Sequence, residues 1–555
     1  MMARTPKEER RKLATLVTPA PGPGLERRIL ATLERHSLVF TVALVLLASL
    51  RMAATYTVYN HTSDEPAHIA CGMEWLDKGV YRWEPQHPPL SRVAVALGPY
   101  LCGIRSQNTP RDKFLAMSYE GLAVLYSGHH YDRTLALARL GNLPFFWLAC
   151  AAVYWWGVRY YSRALAVVAV FLFSFLPPVL GHGGLATTDM ACTAGMAIAF
   201  VAGSYWLERP SWARGAGFGA ATGVMVLCKY SVLLFFPAVV AFCLVWYLVT
   251  ERPGMGFIAS ALKQRLPSLA LAVLVAVLVI WAGFRFSFGD SGIAHLKLPA
   301  PELFAGIRQV AEHNAYGHDS YLLGVRGHTG FFWFFPVALS VKTPLAFLFF
   351  LFVGIALVFR KHKLYARPWI PLAFSAAILI PSLFSSINIG VRHILPIYLG
   401  FTMLAAIAVV RMMELAETRR WIRIGLGVMM LWYAGSSLLS HPDYLPYFNA
   451  LAGSEPEKIL ADSDLDWGQD LKRLSARLHQ VGATSVSFDR YIVGDWEKEH
   501  GFPKIYKLNQ YSPSVGWNAI GVGLWKESRL VLWPDAIKPQ ERVGKSILLW
   551  YFPPP

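Results

Sequence analysis

The chain has 555 residues, with 52 Lys and Arg against 35 Asp and Glu, a net charge of +17 and a mean hydropathy of +0.38. Charged residues make up 16% of it, whereas about 25% is usual in soluble domains, and apolar residues fall in runs of roughly 16 to 25. This composition excludes disordered, coiled-coil and collagen-like proteins. It predicts an all-α polytopic membrane protein.

The positive charge belongs to the apolar part of the chain. Residues 1–440 carry 39 basic and 21 acidic residues, whereas residues 441–555 carry 13 and 14. A nucleic-acid-binding protein would gather its basic residues on one soluble face. We therefore predict no nucleic acid among its partners.

About eleven apolar runs predict membrane-spanning helices. The first follows a basic segment, residues 1–36, longer than the leader of a cleavable signal peptide, so we predict that this span stays uncleaved. The predicted spans are residues 37–58, 135–157, 165–180, 187–207, 215–227, 231–248, 267–284, 331–358, 369–384, 394–410 and 422–439.

The loops between these spans predict the orientation. With a cytoplasmic N-terminus, every loop on the cytoplasmic side contains Lys or Arg, as the positive-inside rule requires. Three long polar segments, residues 59–134, 285–330 and 441–555, then lie on the outer side. We predict a multi-pass plasma-membrane protein with its transmembrane domain in residues 37–440 and its functional face outside.

Two outer segments carry predicted structure of their own. Residues 65–76 and 90–101 are amphipathic and suit helices lying along the membrane surface. Residues 441–555 predict a small extracytoplasmic α/β domain, with a helix at 468–480, a strand at 485–492 and strands near Leu530 and Ile547. Cys71 and Cys102 share one outer segment, and the sequence leaves open whether they pair.

Asp64 and Glu65 follow the first span on the predicted outer side. A carboxylate at the bilayer edge is a candidate general base or metal ligand. The alternative is structural: Ser63 or Asp64 could cap a helix that has Pro66 in its first turn.

His87 and Asp189 are further candidates on that side. His87 precedes Pro88 and Pro89, which also predict a plain helix-entry turn. Asp189 stands at the mouth of an apolar span, where acidic residues tend to be functional, although it could also cap the span.

Positive charges are predicted at the same level as these acids. Lys229 lies between two short spans, and Arg392 and His393 open the tenth span. Each could be a snorkelling residue at the headgroup boundary. Their convergence with two acids and a histidine favours a site for an anionic, membrane-borne group.

A run of alternating aspartates occurs at residues 462–468. It fails as a calcium loop, because Trp467 holds the position that needs glycine and Arg473 the position that needs glutamate. We predict instead that Asp466 caps a helix that has Asp470 in its first turn.

The order of these motifs resembles the GT-C glycosyltransferases of family 39, which include protein O-mannosyltransferases and lipid A aminoarabinose transferases. The resemblance covers roughly residues 37–410. Its most specific parts are Asp64-Glu65 and the His-Pro-Pro-Leu run that begins at His87, followed by Asp189 and Arg392.

The resemblance implies an inverting transfer of one sugar, a hexose or pentose, from a polyprenyl-phosphate carrier to a protein, lipid or glycan acceptor on the outer face. In that reading Asp64 is the catalytic base and Glu65 its neighbour. The substrate-binding residues that the resemblance implies are His87, Asp189 and Arg392. Lys229 and His393 join them as substrate-binding candidates because they are predicted at the same level. A divalent metal at Asp64, Glu65 and Asp189 is left open.

Two other functions remain open at this point. A transporter or flippase would place ionisable residues at mid-membrane and often shows paired halves, and the sequence has no internal repeat. A non-catalytic scaffold is the other alternative.

Overall fold

The computed structural model describes residues 24–111, 115–293, 295–359, 368–489, 494–528 and 531–555. It is mostly helical, as the sequence predicted, and each predicted span coincides with one apolar helix or one bent pair of helices. The helices are Leu25–Arg35, Ser37–Ala53, Glu65–Lys78, Pro89–Leu101, Ala116–Tyr126, Tyr131–Leu140, Leu143–Tyr160, Arg163–Ser174, Pro177–Gly183, Asp189–Glu208, Trp212–Cys228, Val232–Glu251, Met255–Gly283, Pro301–Tyr316, Phe334–Lys342, Leu345–Phe359, Ile370–Ser382, Ile397–Ala416, Arg420–Leu439, Asp462–Leu465, Leu471–Gln480, Trp496–His500 and Val522–Ser528.

The number of spans depends on how bent helices are counted. Among the described residues, six helices are long and apolar enough to cross a membrane, and nine if each of three bent pairs forms one span. The bends are 67° to 118°. The remaining two predicted spans, residues 215–227 and 369–384, coincide with the shorter helices Trp212–Cys228 and Ile370–Ser382.

Small residues allow the helices Trp212–Cys228 and Met255–Gly283 to pack closely together. On Trp212–Cys228, glycines recur every fourth residue at Gly215, Gly219 and Gly223, facing the helix Met255–Gly283. A Cβ at Gly219 would lie 2.1 Å from the carbonyl oxygen of Ala272. Small residues allow this close packing of helices in lipid, and it fixes the end of the helix, where Lys229 follows.

The first long loop forms helices, as predicted. Glu65–Lys78 and Pro89–Leu101 pack together so closely that a Cβ at Gly72 would overlap the backbone of Arg92. Both Cys71, which is buried, and Cys102, which is exposed, are free thiols. Residues 285–330 form the helix Pro301–Tyr316 and two short hairpins, β1 (Phe288–Asp290) with β2 (Lys297–Pro299) and β3 (Ser320–Leu322) with β4 (Val325–Gly327).

The C-terminal part contains a mixed five-stranded sheet. Its strands are β5 (Ser485–Phe488), β6 (Lys504–Tyr506), β7 (Gly516–Gly521), β8 (Glu541–Val543) and β9 (Ile547–Phe552), in the order β6-β5-β7-β9-β8. β5 is parallel to β6 and β7, and the β7-β9-β8 part is antiparallel. The predicted strands at 485–492 and near Ile547 are present, whereas Leu530 lies outside the described residues.

Residues 441–470 connect the helices to this sheet and pack against the ends of the membrane helices. The Lys342 ammonium donates to the carbonyl oxygens of Leu445, at 2.8 Å, and Asp464. Arg51, near the end of the first apolar helix, donates to the Tyr444 hydroxyl at 3.0 Å. The segment is therefore built into the helical part rather than tethered to it.

Candidate active site

Asp64 lies at the start of the helix Glu65–Lys78, and its side chain does not cap that helix. The helix begins at Glu65 with Pro66 in its first turn, as predicted, but Asp64 makes no side-chain capping hydrogen bond. Its Oδ2 instead accepts from Nη1 of Arg392 at 3.0 Å. The Asp64 side chain is 38% exposed, so part of the carboxylate remains open to a reactant.

Glu65 is in a different environment although it is the next residue. Its side chain and that of Arg139 are both fully buried and form a two-pronged ion pair with N···O distances of 2.8 Å. The backbone N–H groups of Thr62 and Ala186 also donate to this carboxylate. Burial alone would raise the Glu65 pKa, but Arg139 and these hydrogen bonds lower it overall.

This geometry gives Glu65 a structural environment rather than a reactive one. Four hydrogen bonds occupy its two oxygens, and the side chain has no exposure through which an acceptor or metal could approach. The contact with Ala186 ties the loop after the first apolar helix to the segment that precedes Asp189. Arg139 was missed by the sequence analysis, although an arginine at the edge of a predicted span is a signal of this kind.

Arg392 is held on several sides in the turn Val391–Ile394. Its Nε donates to Ser463 Oγ at 2.9 Å, and its guanidinium lies 4.1 Å from the centre of the Trp467 ring. The side chain is 11% exposed. Burial opposes its charge, yet the carboxylates of Asp64, Asp189 and Asp462 raise its pKa overall.

The turn that presents Arg392 requires a glycine. Gly390 has φ of +89°, and a Cβ there would lie 2.8 Å from the Asp464 carboxyl group. That carboxyl group accepts from the backbone N–H of Val391 at 3.1 Å. The C-terminal segment therefore fixes the backbone of the turn.

Asp189 and Lys229 form a second ion pair near the first. Lys229 Nζ donates to Asp189 Oδ1 at 2.5 Å, and the two side chains are 11% and 1% exposed. Asp189 begins the helix Asp189–Glu208 and makes no capping bond, while Lys229 follows the helix Trp212–Cys228. Lys229 is thus a buried partner of Asp189 rather than a snorkelling residue.

His87 lies in a compact polar cluster next to this pair. Its Nδ1 is 3.2 Å from Nη2 of Arg92 and 3.4 Å from the Glu84 carboxylate. Burial lowers its pKa; Glu84 acts against that, and the charges of Arg92 and Lys229 add to it. His87 also precedes the helix Pro89–Leu101, so the helix-entry turn and the place in the site are both present.

His393 packs between two aromatic rings. Its ring centre is 5.9 Å from that of Phe335 and 6.1 Å from that of Phe235. Burial, followed by the charges of Lys229 and Arg392, lowers its pKa to about 3. His393 is therefore neutral near pH 7 and contributes no positive charge.

The candidate metal ligands do not fit a metal site. Among the described residues, no group of three or more His, Cys, Asp or Glu side chains is placed to hold a metal ion. Asp64 faces Arg392, Asp189 faces Lys229, and Glu65 faces Arg139. Each carboxylate is already paired with a cation.

The structure adds residues that the sequence did not assign to the site. Ser463 and Trp467 contact Arg392 from the aspartate-rich run. His318, in the segment 285–330, is close enough to Arg392 and Asp64 for both charges to act on its pKa, which burial lowers. The three aspartates and the tryptophan of residues 462–468 were the only sign in the sequence that this run could take part in a site. Nothing in the sequence indicated that the run lies beside Arg392.

The predicted cap in that run is wrong. The helix begins at Leu471 and has Asp470, not Asp466, at its N-cap position, without a side-chain capping bond. Asp466 accepts from the N–H of Gly468 at 3.0 Å and of Gly523 at 2.9 Å. The bond from Gly523 ties the run to the helix Val522–Ser528, which follows β7, instead of starting a helix.

A comparison with protein-family models and with curated proteins finds no match. Among solved structures, the chain is similar to ArnT from Cupriavidus metallidurans, both bound to undecaprenyl phosphate and in the apo state. The sequence identity is 13% and the TM-score 0.49, over 92% of this chain and 97% of that one. It is also similar to the Archaeoglobus fulgidus oligosaccharyltransferase tethered with an acceptor peptide, at 12% identity and a TM-score of 0.49, over 75% of this chain and 56% of that one.

Proposed function

We propose that the protein is an integral-membrane, inverting glycosyltransferase. It moves a hexose or pentose from a polyprenyl-phosphate donor to a hydroxyl group of a protein, lipid or glycan acceptor. The observation that carries the proposal is the Asp64 carboxylate, which is 38% exposed, is held by Arg392 and lies in the segment between the apolar helix Ser37–Ala53 and the helix Glu65–Lys78.

Asp64 is proposed as the general base. The acceptor hydroxyl attacks the anomeric carbon, the bond from that carbon to the donor phosphate oxygen breaks, and Asp64 takes the hydroxyl proton. A positioned carboxylate supports such attack through an oxocarbenium-like transition state. The products are the glycosylated acceptor and the polyprenyl phosphate.

The leaving phosphate needs cations rather than an acid. Arg392 is proposed as the main phosphate contact, because its guanidinium is fixed and its charge is retained. Lys229, Asp189 and His87 form the adjoining part of the substrate-binding site, where the Lys229–Asp189 pair sets the local charge. Neutral His393 supports the wall of this site through its aromatic neighbours.

The position of the charges favours transfer chemistry over transport. Asp64 follows an apolar helix, Asp189 begins one and Arg392 precedes one. A transporter places its ionisable residues near the bilayer midplane. Charges at helix ends suit a donor whose sugar phosphate lies at the bilayer surface and whose lipid remains in the membrane.

The orientation follows from the loop charges and is part of the proposal. A cytoplasmic N-terminus in the plasma membrane places Asp64, the segment 285–330 and the C-terminal domain outside. Lys and Arg of the short loops then face the cytoplasm.

The test is sugar transfer by the purified protein in nanodiscs. Radiolabelled polyprenyl-phosphate sugars serve as donors, and host membrane lipids and proteins serve as acceptor pools. We expect wild type to move label into one pool and Asp64→Asn to move almost none. Equal transfer by Asp64→Asn at normal folding would eliminate Asp64 as base, and substrate flux in proteoliposomes without any transfer would favour a transporter.

A further inference from the structure

The C-terminal segment contacts Arg392 and the backbone of Ser63, the residue before Asp64. From this we infer that Ser463 and Trp467 are positioning residues of the active site, which hold the Arg392 guanidinium where it meets the donor phosphate. This role rests on the proposed transfer function and extends it to residues beyond 440, outside the predicted transmembrane domain.

Trp467 contacts Arg392 through its ring and the residue before Asp64 through its backbone. Its ring lies under the Arg392 guanidinium at 4.1 Å, within the range of a cation–π contact. Its carbonyl oxygen accepts from the backbone N–H of Ser63 at 3.1 Å, next to Asp64. One residue thus sets the position of the cation and of the backbone that carries the proposed base.

The Trp467 ring is itself held firmly. It is 1% exposed and packs with Leu185 and Leu445. Leu185 precedes the Asp189 helix, and the carbonyl oxygen of Leu445 accepts from Lys342. The ring surface is therefore a rigid support whose position depends on the membrane helices.

Ser463 fixes the orientation of the guanidinium about its own axis. Its hydroxyl donates to the carbonyl oxygen of Ile389 at 2.6 Å and accepts from Arg392 Nε at 2.9 Å. Nε of Arg392 lies 3.2 Å from the same Ile389 oxygen. With Nε held in this way, Nη1 donates to Asp64 Oδ2 at 3.0 Å.

The sheet domain anchors this arrangement. Asp464 accepts from the backbone N–H of Val391, one residue before Arg392, and Asp466 accepts from Gly523, just beyond β7. A preorganised cation stabilises a leaving phosphate better than a mobile one, because no reorganisation is needed during the reaction. The C-terminal domain therefore contributes to catalysis by fixing Arg392.

The experiment compares four variants in the nanodisc transfer assay. Trp467→Leu keeps an apolar side chain but removes the aromatic face, whereas Trp467→Phe keeps a smaller face. Ser463→Ala removes the hydroxyl, and Ser463→Thr keeps it. The matched control is Trp550→Leu, because Trp550 is also 1% exposed but lies in the core of the sheet domain.

We expect Trp467→Leu and Ser463→Ala each to lower kcat/KM for the donor about tenfold, in line with the strength of a desolvated cation–π contact or a charged hydrogen bond. Trp467→Phe and Ser463→Thr should recover most of that loss. Inhibition by added polyprenyl phosphate should weaken in parallel. Trp550→Leu should lower the thermal midpoint without changing the kinetics of the folded fraction.

A double-mutant cycle separates positioning from a general loss of structure. In an Arg392→Lys background, Ser463→Ala and Trp467→Leu should each cost less than about twofold, since residues that act through one partner are not additive. Full additivity, or unchanged donor kinetics in both Trp467→Leu and Ser463→Ala, would overturn the inference while wild-type transfer upholds the proposed function. If wild type transfers no sugar, the proposed function fails and this inference with it. If Trp467→Leu does not fold, the comparison of Ser463→Ala with Ser463→Thr tests the inference by itself.

Discussion

Asp64 and Glu65 are neighbours in sequence and belong to two different regions of the molecule. Asp64 is 38% exposed and meets one arginine at the mouth of the proposed site. Glu65 is fully buried against Arg139, and all its hydrogen-bonding capacity is used. Residue type and place in the chain therefore do not distinguish a reactive carboxylate from a structural one here; the two differ in how many oxygen lone pairs are left without a hydrogen bond.

Removing the charge of Asp64 should have the largest effect on activity. We expect Asp64→Asn to lower the transfer rate by about 10²- to 10⁴-fold, the usual contribution of a general base. Its thermal midpoint should change little, because the pair with Arg392 is partly exposed. The transfer assay and a thermal melt of the same preparation measure the two effects.

The control for Asp64→Asn is Asp132→Asn. Asp132 also pairs with a cation, Lys472 of the C-terminal segment, and its side chain is 57% exposed. Asp132→Asn should keep wild-type transfer. An Asp64→Asn protein that melts far below wild type would mean that Asp64 is structural, as Glu65 is.

Glu65→Gln should show the reverse pattern. It leaves Arg139 buried without its charge partner, and breaking a buried pair in this way costs about 3–5 kcal/mol of the free energy of unfolding. We expect a lower thermal midpoint and a lower yield of folded protein. The folded fraction should retain most of its transfer rate per molecule, because Glu65 does not reach the open side of the site.

Glu208→Gln is the matched substitution in an exposed pair. Glu208 contacts Arg159, and the two side chains are 24% and 43% exposed, so its loss should cost at most about 1 kcal/mol. If Glu65→Gln lowered the free energy of unfolding no more than Glu208→Gln does, the burial of the Glu65–Arg139 pair would not matter for stability.

The Asp189–Lys229 pair is less exposed than Asp64–Arg392 and slightly more exposed than Glu65–Arg139. It therefore tests whether a pair of intermediate burial serves stability, donor binding or both. Lys229→Gln leaves Asp189 buried and unpaired, at a cost of roughly 3 kcal/mol. Adding Asp189→Asn removes the stranded charge, so the double variant should melt above the single one. Both should raise the donor KM, measured in the transfer assay, if the pair adjoins the donor phosphate.

A double variant with wild-type donor KM would assign the pair to structure alone. If the double variant is no more stable than Lys229→Gln, then the unpaired charge of Asp189 is not the cause of the lost stability.

Much of the helical architecture could be predicted from the sequence, because apolar runs and basic loops report directly on membrane crossing. The start of the helix at Glu65 was also visible from Pro66. The two roles at Asp64 and Glu65 could not be separated, since they depend on Arg392 and Arg139, which are distant in the chain.

The contribution of the C-terminal segment was hidden for the same reason. Asp462, Ser463 and Trp467 form a recognisable run, but their contacts with Arg392 cross 70 or more positions of sequence, such as the 71 between Ser463 and Arg392. Local patterns predicted a helix cap there. In the structure the aspartates of the run instead accept long-range hydrogen bonds from Val391, in the turn before Arg392, and from Gly523, just after β7.

Asp466 extends the comparison to a buried carboxyl group held by backbone N–H groups instead of a cation. Burial raises its pKa to about 6, whereas the Glu65 pKa is lowered because Arg139 outweighs burial. A carboxyl group with a raised pKa favours the folded state fully below its unfolded pKa near 4 and loses that contribution as the pH rises to about 6. Glu65 acts in the opposite sense, since its contribution is present at neutral pH and lost in acid.

We therefore expect the stability of the C-terminal domain to fall by about 1–3 kcal/mol between pH 4 and pH 6. Asp466→Asn should remove part of this fall, and Asp462, whose pKa burial also raises to about 6, should account for much of the rest. Thermal melts or limited proteolysis at pH 4, 5 and 6 measure the slope. An equal slope in Asp466→Asn would mean that its carboxyl group is ionised throughout, and that backbone N–H groups can hold a buried charge as well as Arg139 does.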